Sequence, residues 1–175
     1  MNTIINLIKS ILIVVISGLI LFLIQTKICT AEEMFFSYGL GVFNSAKNNI
    51  SEVKTADFGF RKPLVGPWSF QFKAGAWLDG SGDKSRSSSL YVSAGPQYII
   101  DFSCFEIRNG VGVTVISNTD SYLGGHLQFN SELYFGVRNK NGAGIGIEYS
   151  HFSSAGIYQP NIGKDFILLQ ISERF

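Results

Sequence analysis

The sequence predicts an all-β fold, an eight-stranded antiparallel up-and-down barrel that crosses a membrane. Three observations carry that prediction. Beyond Glu33 the apolar residues recur with period two, and helical spacing is hard to find. The connections alternate between long polar loops and short turns, and the apolar face of each strand holds the bulky residues.

The first segment is not a strand. Residues 1–31 carry Lys9, an uncharged apolar run from Ile11 to Ile24, and the small residues Cys29 and Ala31, which together read as a secretory signal peptide cleaved after Ala31. An uncleaved membrane anchor is the competing reading, because the apolar run is long for a signal core. The barrel is then assigned to residues 32–175. With Cys29 in the signal, Cys104 stands alone and no internal disulfide can form. Acidic residues on both sides of Cys104, Asp101 and Glu106, argue against a reactive thiolate. A net charge of +1 without a Lys/Arg cluster gives nucleic acid no footprint.

Eight strands are expected, at about 34–43, 53–61, 67–78, 89–100, 105–116, 125–137, 143–153 and 164–175. Each approaches the roughly 9–11 residues that a tilted strand needs to cross a bilayer. Between them, "NSAKNNISE", "DGSGDKSRSSS", "SNTDSYLGG" and "SAGIYQPNIG" are long and polar, whereas "KPLVG", "DFSC" and "RNKNG" are short. Long loops on one rim and tight turns on the other is the pattern of an outer-membrane barrel, for which eight strands is the smallest usual number.

Alternation separates the faces. In the third strand Trp68, Phe70 and Phe72 oppose Ser69, Gln71, Lys73 and Trp77; in the sixth, Leu127, Phe129, Leu133 and Phe135 oppose His126, Gln128, Asn130 and Glu132. The bore of an eight-stranded barrel is only wide enough for side chains. A mixed-charge set with many glycines fits that interior, and the bulky set then meets lipid. A soluble barrel would need the reverse, crowding Phe, Leu, Ile and Val inside. The terminal Phe175 resembles the aromatic end of outer-membrane barrel chains, although Glu173 departs from the apolar residue usual two places earlier.

The same parity places three polar residues on the lipid side. His151 and Ser153 continue the row of Ile145, Ile147 and Tyr149 in strand seven, and Asp165 shares the row of Ile167, Leu169 and Ile171 in strand eight. A register with His151 opposite Asp165 would bring their Cβ atoms to about 4.5–5.5 Å, with Ser153 flanking the imidazole. Nucleophile, base and orienting carboxylate would then stand together. Polar side chains on a lipid face are costly, which favours a role in acting on lipid. The bland alternative is that strand seven has left the hydrocarbon by residue 151, so these are ordinary rim residues.

The stretch "HFSSAGIYQPNIGKD" resembles the signature of the outer-membrane lipid A 3-O-deacylases, the PagL family. His151, Ser153, Ala155, Gly156, Pro160, Asn161 and Gly163 fall on that pattern at its spacing. The resemblance implies a serine esterase that removes the acyl chain from position 3 of the proximal glucosamine of lipid A, with lipopolysaccharide as substrate partner. It implies Ser153 as nucleophile, His151 as base and Asp165 as orienting acid, and needs no cofactor and no metal. Starting from a periplasmic N-terminus, the loop joining strands seven and eight would face the outer leaflet of the outer membrane. A homodimer is compatible with this reading. Two departures stand out. Asp165 replaces the usual glutamate and is one methylene shorter; Ser154 replaces the usual asparagine, so the oxyanion would fall to backbone N–H groups around Ser154 and Gly156 or to the Asn161 amide.

Weaker signals favour plain structure. The glycines of "GAGIGI" and "GVGVTV" lack the helix and lysine of a phosphate loop and are expected to make room inside the barrel. His126 is expected in the lumen, Lys73, Arg108, Glu106, Glu132 and Glu148 in interior ion pairs, and Trp68, Trp77 and Tyr122 at the membrane interface. The rival functions are a non-enzymatic barrel serving as adhesin, binding or structural protein, and an outer-membrane acyltransferase or phospholipase.

Overall fold

A computed structural model describes residues 33–43, 53–79 and 87–175. Its strands are β1 (Glu33–Phe43), β2 (Val53–Pro63), β3 (Trp68–Asp79), β4 (Ser89–Phe102), β5 (Phe105–Ile116), β6 (Leu127–Arg138), β7 (Gly144–Ser153) and β8 (Lys164–Arg174). They pair in sequence order, each antiparallel to the next, and β1 pairs with β8 to close the barrel. The expected strands agree with these within two residues at every end. The proposed signal segment, residues 1–31, lies outside the described residues.

Burial follows the alternation along every strand. On β6, Gln128, Asn130, Glu132 and Tyr134 are buried in the lumen, while Phe135 and Val137 are exposed on the outside with Ile145 and Ile147 of β7 beside them. This outward apolar band is what a lipid-facing wall requires.

The lumen has two parts. Toward the short turns it holds a charged network in which Arg61 bonds Glu33 at 2.5 Å, Gln97 at 2.8 Å and Gln170 at 2.8 Å. Lys73 lies between Glu132 and Glu148, 3.1 Å from the latter, and Arg108 pairs with Glu106 at 2.7 Å. Such charges persist away from water because each is paired with a charge of opposite sign, and Arg108 also lies 3.5 Å over the Tyr134 ring. Gly136 and Gly146 make room for Tyr134, whose hydroxyl end would lie 2.0 Å and 2.5 Å from a Cβ added at either position.

Toward the long loops the lumen is apolar. Trp77, Tyr91, Phe152 and Phe166 pack with ring centroids 5.3–5.9 Å apart, joined by Val53, Ile116, Leu123 and Leu168. Each pair adds about 0.5–1.5 kcal/mol beyond its area burial. This cluster corrects one expectation: Trp77 is 1% exposed and interior, and Tyr122 packs against the same cluster, so neither is an interface anchor. Trp68, by contrast, is exposed and lies edge-on to Tyr98 at 5.1 Å. His126 is also corrected. Strand β6 starts at Leu127, two residues later than expected, so His126 sits exposed on the rim, with Nδ1 2.9 Å from the Ile116 carbonyl.

Candidate active site

Strands β7 and β8 pair with Tyr149 opposite Ile167 and His151 opposite Asp165. That register follows from burial: Ser150 and Phe152 face inward with Lys164 and Phe166, and a slip of one residue would turn them to lipid. His151 and Asp165 are therefore neighbours on the outer wall. His151 Nδ1 lies 2.7 Å from Asp165 Oδ1. An ionised carboxylate only accepts, so Nδ1 carries the proton and Nε2 keeps its lone pair. Tyr149 donates its hydroxyl to the same Asp165 oxygen at 2.6 Å.

Ser153 lies two residues beyond His151 on the same face and pairs across to Phe129 of β6. Among the described residues no hydrogen bond joins Ser153 to His151. Both side chains line one open groove of about 380 Å³ on the outer wall, which continues over Phe129 and Ser131, Val111 and Val113, and Ala94 and Pro96. The groove crosses the point where β4–β5 pairing is interrupted at Gly95 and Pro96. Proline has no N–H for the ladder there.

The loop from Ser154 to Gly163 joins β7 to β8 beside His151. Ser154 is fully buried; its N–H is donated to Asn161 Oδ1 at 2.7 Å, and its Oγ meets the Tyr158 backbone. The Ser154 N–H is thus engaged and unavailable to an oxyanion, which leaves Gly156 and the Asn161 amide nitrogen from the expected set. Gly156 is exposed with φ 83°, in open space. Gly163, at φ 85°, lies under the imidazole: a Cβ there would come within 2.8 Å of His151 Cε1.

A second loop, between β5 and β6, braces the first. Asp120 Oδ2 bonds Lys164 Nζ at 2.5 Å, and Asp120 Oδ1 accepts from the N–H groups of Tyr122 and Leu123. Leu123 bridges to Asn161, Gly124 N–H donates to the Pro160 carbonyl, and Ile162 N–H to the Tyr122 carbonyl. Sequence reasoning missed Asp120 and Tyr149. Tyr149 could have been found from the face it shares with His151, whereas nothing in the sequence pairs Asp120 with Lys164.

A family model described as lipid A 3-O-deacylase (PagL) matches residues 54–174, most of the chain, including His151, Ser153 and Asp165. The chain belongs to the PagL family. Two curated relatives are each named lipid A deacylase PagL. The one from Bordetella bronchiseptica is 39% identical over 103 residues, covering 57% of this chain and 57% of that protein. The one from Pseudomonas aeruginosa is 30% identical over 107 residues, covering 57% of this chain and 59% of that protein. The matched segment thus spans little more than half the length of either relative. Among solved structures, the crystal structure of the outer membrane enzyme PagL aligns with a TM-score of 0.62 at 22% identity, covering 82% of this chain and 99% of that one. Neisserial surface protein A aligns with a TM-score of 0.52 at 8% identity, over 82% and 96% of the two chains. These two likenesses show a shared eight-stranded barrel.

Proposed function

We propose that this PagL-family barrel is a lipid A 3-O-deacylase of the outer membrane, a carboxylic ester hydrolase working from its outer wall on the outer leaflet. One observation supports this most. A hydrogen-bonded His151–Asp165 pair and Ser153 occupy a single lipid-facing row, beside an apolar groove, on a surface where polar groups are otherwise costly.

In this reading Ser153 Oγ attacks the carbonyl carbon of the 3-O-linked hydroxyacyl ester, and His151 Nε2 takes the serine proton. Asp165 holds the Nδ1–H tautomer and stabilises the imidazolium. Collapse of the tetrahedral adduct breaks the bond to the glucosamine oxygen, which receives the proton from His151. Water, deprotonated by the same nitrogen, then cleaves the acyl-serine ester and releases a 3-hydroxy fatty acid. The oxyanion is met by the Asn161 amide nitrogen, whose orientation is held through its Oδ1 bond to Ser154, and by the Gly156 N–H. The acyl chain lies in the groove across β6, β5 and β4.

The test is mass spectrometry of lipid A from Gram-negative cells expressing the chain, beside cells expressing Ser153→Ala. Loss of one 3-hydroxyacyl chain with the intact serine alone is the expected result. Unchanged lipid A in cells, together with unchanged purified lipid A in detergent, would overturn the proposal.

A further inference from the structure

The Asp165 carboxylate is held from one side. It stands on the outer wall, its side chain 13% exposed, and two single bonds let it swing. Its own strand supplies no hydrogen bond to it. Among the described residues both donors come from β7: His151 Nδ1 at 2.7 Å and the Tyr149 hydroxyl at 2.6 Å, converging on the same oxygen. The geometry that permits this is diagonal. Tyr149 is opposite Ile167, so its ring spans to the position two residues before Ile167 on the same face of β8, which a long aromatic side chain can reach.

We infer that Tyr149 is a positioning residue for the reaction, holding Asp165 where it selects the Nδ1–H tautomer of His151. The inference rests on the triad reading given above. A charge-assisted O–H···O bond is short and roughly twice as strong as a neutral one. On a surface meant for lipid, no bulk water replaces it when it is lost. Without the Tyr149 hydroxyl the carboxylate turns away from His151, and the neutral ring shifts toward the Nε2–H tautomer. That tautomer cannot accept the Ser153 proton. Of the other charged groups on the adjoining strands, Glu132, Glu148 and Lys164 are directed into the lumen, and Arg138, Glu173 and Arg174 stand at the opposite end of β6 and β8, so none can substitute.

The experiment uses the full barrel refolded in detergent, as wild type, Tyr149→Phe and Tyr149→Leu. Two quantities are read: kcat and KM for release of 3-hydroxy fatty acid from lipid A, and the ¹⁵N shifts of the His151 ring, which report its tautomer. Tyr149→Phe is expected to lower kcat about tenfold with KM within twofold, and to raise the Nε2–H population. Tyr149→Leu should do no worse, because the hydroxyl and not the ring is what acts. Wild-type kcat and an unchanged tautomer in Tyr149→Phe would overturn the inference, and so would a defect confined to Tyr149→Leu, which marks a packing or membrane-anchoring role. If the wild type releases no acyl chain yet Tyr149→Phe shifts the tautomer, the positioning role stands and the proposed function falls.

Discussion

Asp120 and Lys164 form an ion pair 2.5 Å long, with side chains 3% and 9% exposed, that joins the β5–β6 loop to the residue beside Asp165. Lys164 Nζ also lies 5.0 Å above the Trp77 ring. The pair therefore ties three things together: a brace from another loop, the aromatic cluster in the lumen, and the start of the strand that carries the acid.

Removing one partner of a buried pair strands the other, at a cost of about 3 kcal/mol. Asp120→Ala should lower the unfolding free energy of the refolded barrel by about that amount, measured by urea titration in detergent. Hydrolysis should fall with it, because Tyr122, Leu123 and Asn161 lose their common anchor.

Gly163 supports the imidazole only because it has no side chain. Its φ of 85° is a conformation that alanine resists, and the added carbon would press on His151 Cε1. We expect Gly163→Ala to lose on the order of 10²-fold in kcat, the penalty typical of misplacing a catalytic group by about an ångström. Circular dichroism should show the barrel intact.

Asp165→Asn keeps the shape of the carboxylate while removing its charge and giving it a donor. By analogy with triads whose acid is made an amide, kcat should drop by about 10³–10⁴-fold. A variant retaining more than a tenth of wild-type rate would exclude Asp165 from the mechanism.

Ser131 faces His151 across β6–β7 and lines the groove. Ser131→Leu adds apolar bulk beside His151 in the groove without introducing charge. Expected is a fall of about fivefold or more in kcat/KM for long-chain esters, with short-chain esters changed by less than about twofold. A uniform loss across chain lengths would place the acyl chain elsewhere.

Much of this architecture was legible because the two faces of each strand differ so sharply. Lys73 and Glu132 could not face lipid and Phe135 and Val137 could not all fit the bore, so parity followed from chemistry. Parity also placed His151 and Asp165 together once β7 and β8 were neighbours. Trp77 shows two sequence rules in conflict. Its alternation pointed inward, the common habit of tryptophan at interfaces pointed outward, and packing with Tyr91, Phe152 and Phe166 decided for alternation. His126 went astray because one residue at a strand end changes rim for lumen. The brace from Asp120 was illegible: it depends on the path of a loop, and residues 44 positions apart carry no periodic signal that joins them. The engaged Ser154 N–H was hidden for the same reason.

The filled bore has a consequence at the scale of the cell. Among the described residues, the cross-section is occupied first by the Arg61, Lys73 and Arg108 network and then by four packed aromatic rings, so ions and small solutes meet side chains along its length. A cell can therefore insert many copies of this protein into its envelope without short-circuiting the permeability barrier that the envelope maintains.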